Sequence, residues 1–354
     1  MSSRLLVAFL SFTAAVLAAA PDRVQKGWTF VVSGDSRNCG DVVMPSIAEG
    51  ARKASASFYW HLGDLRFISD FDQDFKALHP DSTIMQYIGT AWDDFIANQI
   101  EPFREIPFFL GIGNHELLAP KTRQEFIIQF ADWLDAPAIR EQRLKDNPHD
   151  HAVRTYYHWQ RDGIDFIYLD NAGPDQFDKN QLEWVMKLLA REESDSSIRA
   201  VVMGMHEALP DSIAHSHSMN DSPLPEATGR NVYQRLLALE KRKPVYVLAS
   251  HSHFYMDGIF NTAYLREHGE VLPGWIIGTA GAIRYKLPAD YKDAKAAQTK
   301  VYGYLLCKVH PAGTGGKNPI AFEFHEVKES EVSSEVVTRF GKNLVHDCYV
   351  NNAN

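Results

Sequence analysis

The sequence predicts an α/β fold in which two β-sheets pack face to face, flanked by helices. Five apolar runs read as buried strands, and each ends in a short polar motif. Segments of helical periodicity lie between them, and the middle and end of the chain return to strand-like runs. The five runs are residues 28–33, 58–62, 107–112, 200–203 and 244–249. The segments between repeat apolar residues at helical spacing. Residues 44–57 carry Ile47, Ala51 and Ala54; residues 85–100 carry Ile88, Trp92, Phe95, Ile96 and Gln99; 124–133 and 181–189 read the same way. Residues 154–160 and 164–170 are aromatic-rich runs joined by Arg161-Asp162-Gly163, a hairpin signal, and 274–279, 301–309 and 320–327 are again strand-like. Residues 140–154 and 207–230 read as long polar loops; the second contains His215 and His217, a candidate substrate-facing lid.

With 354 residues, 45% apolar and 23% charged, the composition is that of an ordinary globular chain. No segment rich in Pro, Gly or Ser divides residues 21–354, so one domain is expected there. Residues 1–20 differ. Arg4 gives a short positive start, an apolar core follows, and Ala18-Ala19-Ala20 fits a cleavage site, which reads as a secretory signal peptide. The apolar stretch falls short of the ~20 residues that span a bilayer. A secreted or periplasmic protein without stable membrane insertion is therefore expected. Export permits disulfides. Cys307, in an apolar run, and Cys348, in the tail, are placed to staple the C-terminus to a sheet, leaving Cys39 as the free thiol. Three unpaired cysteines stays open, since connectivity cannot be read from sequence. The net charge of -9, with no Lys/Arg-rich run, excludes a nucleic-acid backbone as the expected partner but not a small anion met by a metal ion and a few arginines.

The polar motifs carry the chemistry. They are Gly34-Asp35-Ser36-Arg37, Gly63-Asp64-Leu65-Arg66, Gly113-Asn114-His115-Glu116, Gly204-Met205-His206-Glu207 and Ser250-His251-Ser252-His253. Asp35 and Asp64 offer carboxylates, Asn114 an amide oxygen, and His206, His251 and His253 imidazoles. At successive strand ends they suit a metal site at one edge of a sheet, where open α/β sheets place their ligands. Nitrogen and oxygen donors without thiolate favour Zn, Fe or Mn over copper(I), and the imidazoles argue against a magnesium or calcium cage. Gly-x-Ser-x-Gly is absent, and neither His115-Glu116 nor His206-Glu207 continues as His-Glu-x-x-His, so the serine-hydrolase and zincin patterns are excluded.

In this order, over about residues 28–260, the motifs resemble those of the calcineurin-like metallophosphoesterases. The resemblance implies a β-sandwich with helices outside, and a phosphoesterase domain over residues 21–354. It also implies two divalent or transition metal ions that activate water to hydrolyse a small phosphorylated substrate. By that likeness Asp64 bridges the ions, Asn114, His206 and His251 complete one, and Asp35 and His253 the other. His115 then faces the phosphate and assists the departing oxygen, and Glu116 supports from behind. Many members read Asp-x-His at the first motif, whereas this chain has Arg37, and a guanidinium cannot coordinate a metal. Purple acid phosphatases instead recruit a Tyr shortly after the bridging Asp, and none stands in Leu65-Arg66-Phe67. Arg37 and Arg66 are candidate phosphate grips. The competing expectation is a secreted binding protein that has kept the fold and lost turnover through Arg37.

Overall fold

The computed structural model describes residues 27–352, other than 174–176, 215, 216, 221 and 315. The expected signal peptide and His215 lie outside the described residues. Among the described residues, twelve strands form two sheets. They are β1 (Trp28–Ser33), β2 (Tyr59–His61), β3 (Phe108–Leu110), β4 (Tyr157–Arg161), β5 (Ile164–Leu169), β6 (Ala200–Met205), β7 (Val245–Ala249), β8 (Tyr255–Asp257), β9 (Gly274–Ile277), β10 (Ala296–Gln298), β11 (Tyr302–Val309) and β12 (Ile320–Val327). The first sheet runs β12-β11-β1-β2-β3 and the second β10-β8-β9-β7-β6-β5-β4. In the first, β1, β2 and β3 are parallel, and β11 closes antiparallel on β1. In the second, β5, β6, β7 and β9 are parallel. Parallel strands bring their C-terminal ends to one edge, so the polar motifs following β1, β2, β3, β6 and β7 emerge together.

The apolar character of β6 and β7, and of β5 apart from Asp165, follows from burial on both faces. Phe166 and Tyr168, Ala200 and Val202, and Tyr246 and Leu248 join the core between the sheets. Their alternates, Ile167 and Leu169, Val201 and Met203, and Val245 and Val247, face a second core. Helices Lys179–Ser194 and Pro223–Glu240 complete that outer core through Val185, Leu188, Leu189, Val232, Leu236 and Leu239. The inter-sheet core is aromatic: Phe109 stacks on Trp159 at 4.0 Å, and Phe58 meets Phe166 edge-on at 5.2 Å.

Two expectations about loops need correcting. The stretch 140–154 begins inside helix Pro137–Asp146, and 207–230 runs into helix Pro223–Glu240. Both helices open on proline, which tolerates a first helical turn and masks the periodic signal. The hairpin at Arg161-Asp162-Gly163 is as expected, with Asp162 and Gly163 both at positive φ. The cysteine pairing differs: Cys39 bonds Cys348, 309 residues away, and Cys307 is the buried free thiol. Helix Lys342–Val350 returns the tail to the start of helix Gly40–Lys53, which carries Cys39 at its N-terminus.

In the hairpin, His158 is buried between two carboxylates. Its Nδ1 lies 2.9 Å from Asp165 Oδ1 and its Nε2 2.5 Å from Asp146 Oδ2. Burial opposes a charged ring, but Asp165 and Asp146 overcome it and push the pKa up to about 9. A group raised on folding contributes stability that is fully present below the unfolded imidazole value of about 6.5 and is lost as pH rises through 9. The expected loss is about 3 kcal/mol. Denaturant unfolding at pH 6.5 and 9.5 should show it in the wild type and lose most of it in His158→Gln. Equal pH slopes in the two proteins would refute the charged ring.

Candidate metal centre

At the shared edge the chain turns sharply after each strand. Asp35, Asp64 and His251 adopt φ of 60°, 58° and 63°, a left-handed conformation uncommon for residues with a side chain. Gly113 is required by close approach: a Cβ there would lie 2.3 Å from Asp64 Oδ1. Glu116 ties the second and third motifs together by accepting from the backbone N–H groups of Asp64, Leu65 and Gly113 at 2.9, 2.9 and 2.7 Å. Asp64 Oδ1 accepts from His115 N at 3.0 Å, and Asp35 Oδ2 from His251 N at 2.7 Å. Each carboxylate is thus aimed by a neighbouring motif's backbone.

Two groups of donor atoms result, sharing Asp64. The first contains Asp64, His206 and His251, the second Asp35, Asp64 and His253. In the first, His206 Nε2 lies 3.1 Å from Asn114 Oδ1, 3.3 Å from Asp64 Oδ1 and 3.0 Å from His251 Nδ1. His206 Nδ1 faces the Leu62 carbonyl at 3.0 Å, and because a carbonyl only accepts, the proton belongs there and the Nε2 lone pair points inward. Four acceptors therefore converge on one point, an arrangement a cation resolves. Burial disfavours protonation of His206, yet Asp64 and Asp35 hold its pKa above the ordinary value. Burial, then the neighbouring His206, pushes His251 down to about 3. The donor set fits a transition metal.

In the second group, His253 Nδ1 faces the Ile283 carbonyl at 2.6 Å, which turns its Nε2 lone pair inward, 3.2 Å from Asp35 Oδ1. Asp35 Oδ1 and Asp64 Oδ2 are buried without a hydrogen-bond partner. These oxygens also call for a cation, and Arg37 lies beside Asp64 Oδ2 and His253. Its Nη2 is 3.0 Å from His253 Nε2, and its Nε is 3.5 Å from Asp64 Oδ2.

His115 faces the same space, its ring stacked on Phe67 and its Nε2 3.9 Å from Asp64 Oδ2. Its Nδ1 donates to the Phe67 carbonyl at 2.5 Å. Burial keeps its pKa below the ordinary range against the pull of Asp64. Tyr285, which the motifs do not reveal, stacks on His253 at 4.0 Å and on His217 at 5.2 Å. His217 also meets the His251 ring edge-on at 5.4 Å, so it borders the centre. Asn171 is a second residue the motifs miss: its Oδ1 accepts from the backbone of His206 and Glu207 at 3.2 and 3.0 Å. Its only sequence signal is its place just after an apolar run.

Arg66 does not reach this space, contrary to the expectation of a phosphate grip. Its side chain is 0% exposed, and its guanidinium is held by Asp41 at 2.7 Å, by Asp72 and Asp74 at 3.4 Å each, and by Asp94. Four carboxylates hold its two terminal nitrogens, and its Nε is buried without a hydrogen-bond partner, so no donor is presented to a substrate. Removing the cation strands buried carboxylates, so Arg66→Ala should destabilise the fold by about 3–5 kcal/mol. A denaturant melt matching the wild type would contradict this.

The two mixed sheets flanked by helices have the fold of a solved purple acid phosphatase. Among solved structures the chain superposes on purple acid phosphatase PPD1 from yellow lupin (Lupinus luteus) seeds at TM-score 0.53 and 15% identity, over 86% of this chain and 55% of that one. It therefore spans about half the length of the lupin protein. PhoD aligns at TM-score 0.46 and 14% identity over 94% of this chain and 79% of its own. A dimetal phosphatase from Danio rerio aligns at TM-score 0.46 and 11% identity, over 86% and 100%. No family model and no curated protein sequence matches the chain.

Proposed function

We propose that the protein is an exported metal-dependent phosphoesterase acting on a small phosphorylated substrate. The observation that carries this reading is the convergence of Asp64, Asn114, His206 and His251 on one point at the strand edge, beside Arg37 and His115. Those four residues would hold a metal ion, and Asp35, Asp64 and His253 form a second cation position. Bound there, a divalent ion polarises phosphoryl oxygens and lowers the pKa of water. The chain's own groups do the rest. The Arg37 guanidinium presents paired donors to phosphate oxygens. As water's oxygen bonds to phosphorus and the ester P–O bond breaks, His115 delivers a proton from Nε2 to the departing oxygen, while water's own protons stay on the phosphate product. The ring must be protonated to do so, and an approaching phosphate anion favours that form. Glu116 and the Phe67 carbonyl hold this machinery in register.

The Cys39–Cys348 bond supports an oxidising compartment, in keeping with export. No helix among the described residues is long and apolar enough to cross a membrane. The test is metal analysis of the purified protein together with a panel of phosphate mono- and diesters. Bound transition metal with hydrolysis of at least one ester class is expected; a protein with neither would overturn the reading. Arg37 lying against His253 favours one alternative, a binding protein without turnover, and full metal content with no hydrolysis across the panel would establish it.

A further inference from the structure

We propose that the Arg37 guanidinium is itself the second cation of this centre. On this reading the chain binds one metal ion, at Asp64, Asn114, His206 and His251, and none at Asp35, Asp64 and His253. The inference rests on the metal-binding part of the function proposed above and adds what occupies its second position.

The donor atoms already face the guanidinium. With the Nδ1 proton of His253 committed to the Ile283 carbonyl, the Nε2 lone pair a metal would take instead accepts from Arg37 Nη2 at 3.0 Å. Asp64 Oδ2, the oxygen that would bridge to a second ion, has Arg37 Nε at 3.5 Å. A guanidinium stays protonated at any working pH, so this contact is always cationic. A second divalent ion would have to displace it or sit beside it against charge repulsion.

Arg37 is also held in place. It is 6% exposed, its Cζ lies 5.1 Å from the Phe67 ring centroid, and its Nη2 lies 3.5 Å from the Tyr285 hydroxyl. Phe67 is aromatic without a hydroxyl and so offers the guanidinium a face but offers a metal nothing. The backbone beneath is fixed on both sides: Ser36 N donates to the Asp64 carbonyl at 3.0 Å, Asn38 N to Asp72 Oδ1 at 2.6 Å, and Cys39 is in the disulfide. The charge count agrees. One divalent ion and one guanidinium exceed the two carboxylates by a single positive charge, which leaves the centre attractive to a phosphate anion. Phosphate would then be gripped by one metal and a two-pronged guanidinium, not by two metals.

Metal stoichiometry tests this without reference to turnover. Elemental analysis and calorimetric titration with Zn²⁺ or Mn²⁺ should saturate at one ion per wild-type chain. Arg37→Ala should admit a second ion, and Arg37→His should bind it more tightly because imidazole adds a donor. Asp35→Asn should leave the wild-type count at one. Circular dichroism melts would confirm that each variant is folded. Two ions in the wild type, or one in both Arg37 variants, would overturn the inference while leaving a metal-dependent phosphoesterase intact. A wild-type chain that takes up no ion would overturn both.

Discussion

Asp64→Asn is expected to strip the protein of its metal and lower ester hydrolysis at least about a thousandfold, roughly 4 kcal/mol of transition-state stabilisation. Asp64 is the residue common to both donor groups. The asparagine side chain can still accept from His115 N, which Asp64 Oδ1 contacts at 3.0 Å, so local structure is preserved while the charge is removed. Burial alone would raise the Asp64 pKa, but His206, followed by His115 and Arg37, drives it far below the ordinary carboxylate range. The site is therefore built around that negative charge. Elemental analysis and nitrophenyl phosphate hydrolysis of the same preparation provide the check. A folded variant that retains both metal and rate would remove the basis for the proposed function.

His115→Ala should separate chemistry from metal binding. Its Nε2 stands 3.9 Å from Asp64 Oδ2, against 3.3 Å from His206 Nε2 to Asp64 Oδ1 and 3.2 Å from His253 Nε2 to Asp35 Oδ1, which places His115 beside the donor groups and not within them. An alkoxide leaving group needs a proton far more than a nitrophenolate does. The variant should keep its metal yet lose about a hundredfold to ten-thousandfold on alkyl esters, ~2.7–5.5 kcal/mol, with a visibly smaller loss on nitrophenyl esters. Equal losses on both esters would assign His115 to stabilising charge on phosphorus. Loss of metal would make it a ligand.

The sheet edge was legible in the sequence for a physical reason. Strands buried on both faces must read as unbroken apolar runs, and the first polar residues after them mark where the chain leaves the core. Asp35, Asp64, Asn114, His206, His251 and His253 are all found this way. Arg66 has the same signature and the opposite fate, because its partners Asp41, Asp74 and Asp94 lie on three different helices and Asp72 just before the second of them. Nothing local to Gly63-Asp64-Leu65-Arg66 announces them. Tyr285 and the Cys39–Cys348 bond were hidden for the same reason: both are contacts between segments whose nearness only the folded chain creates. The helix Pro223–Glu240 was obscured by proline at its start and by a largely polar surface.

The pairing of β1 with β11 has a consequence for the order of assembly. Asp35 hangs from the end of β1, and β1 is held on one side by β2 and on the other by β11, in a register that sets Thr29 against Lys308. Those partners are roughly 280 residues apart, so closing this contact is slow and comes after local structure. During synthesis the loop bearing Asp35 and Arg37 therefore waits for strands made near the end of the described chain. His206 and His251 emerge earlier, on neighbouring parallel strands. A nascent chain should thus gather the imidazole side of the centre first and gain its guanidinium side last, making the second cation position a late acquisition in maturation.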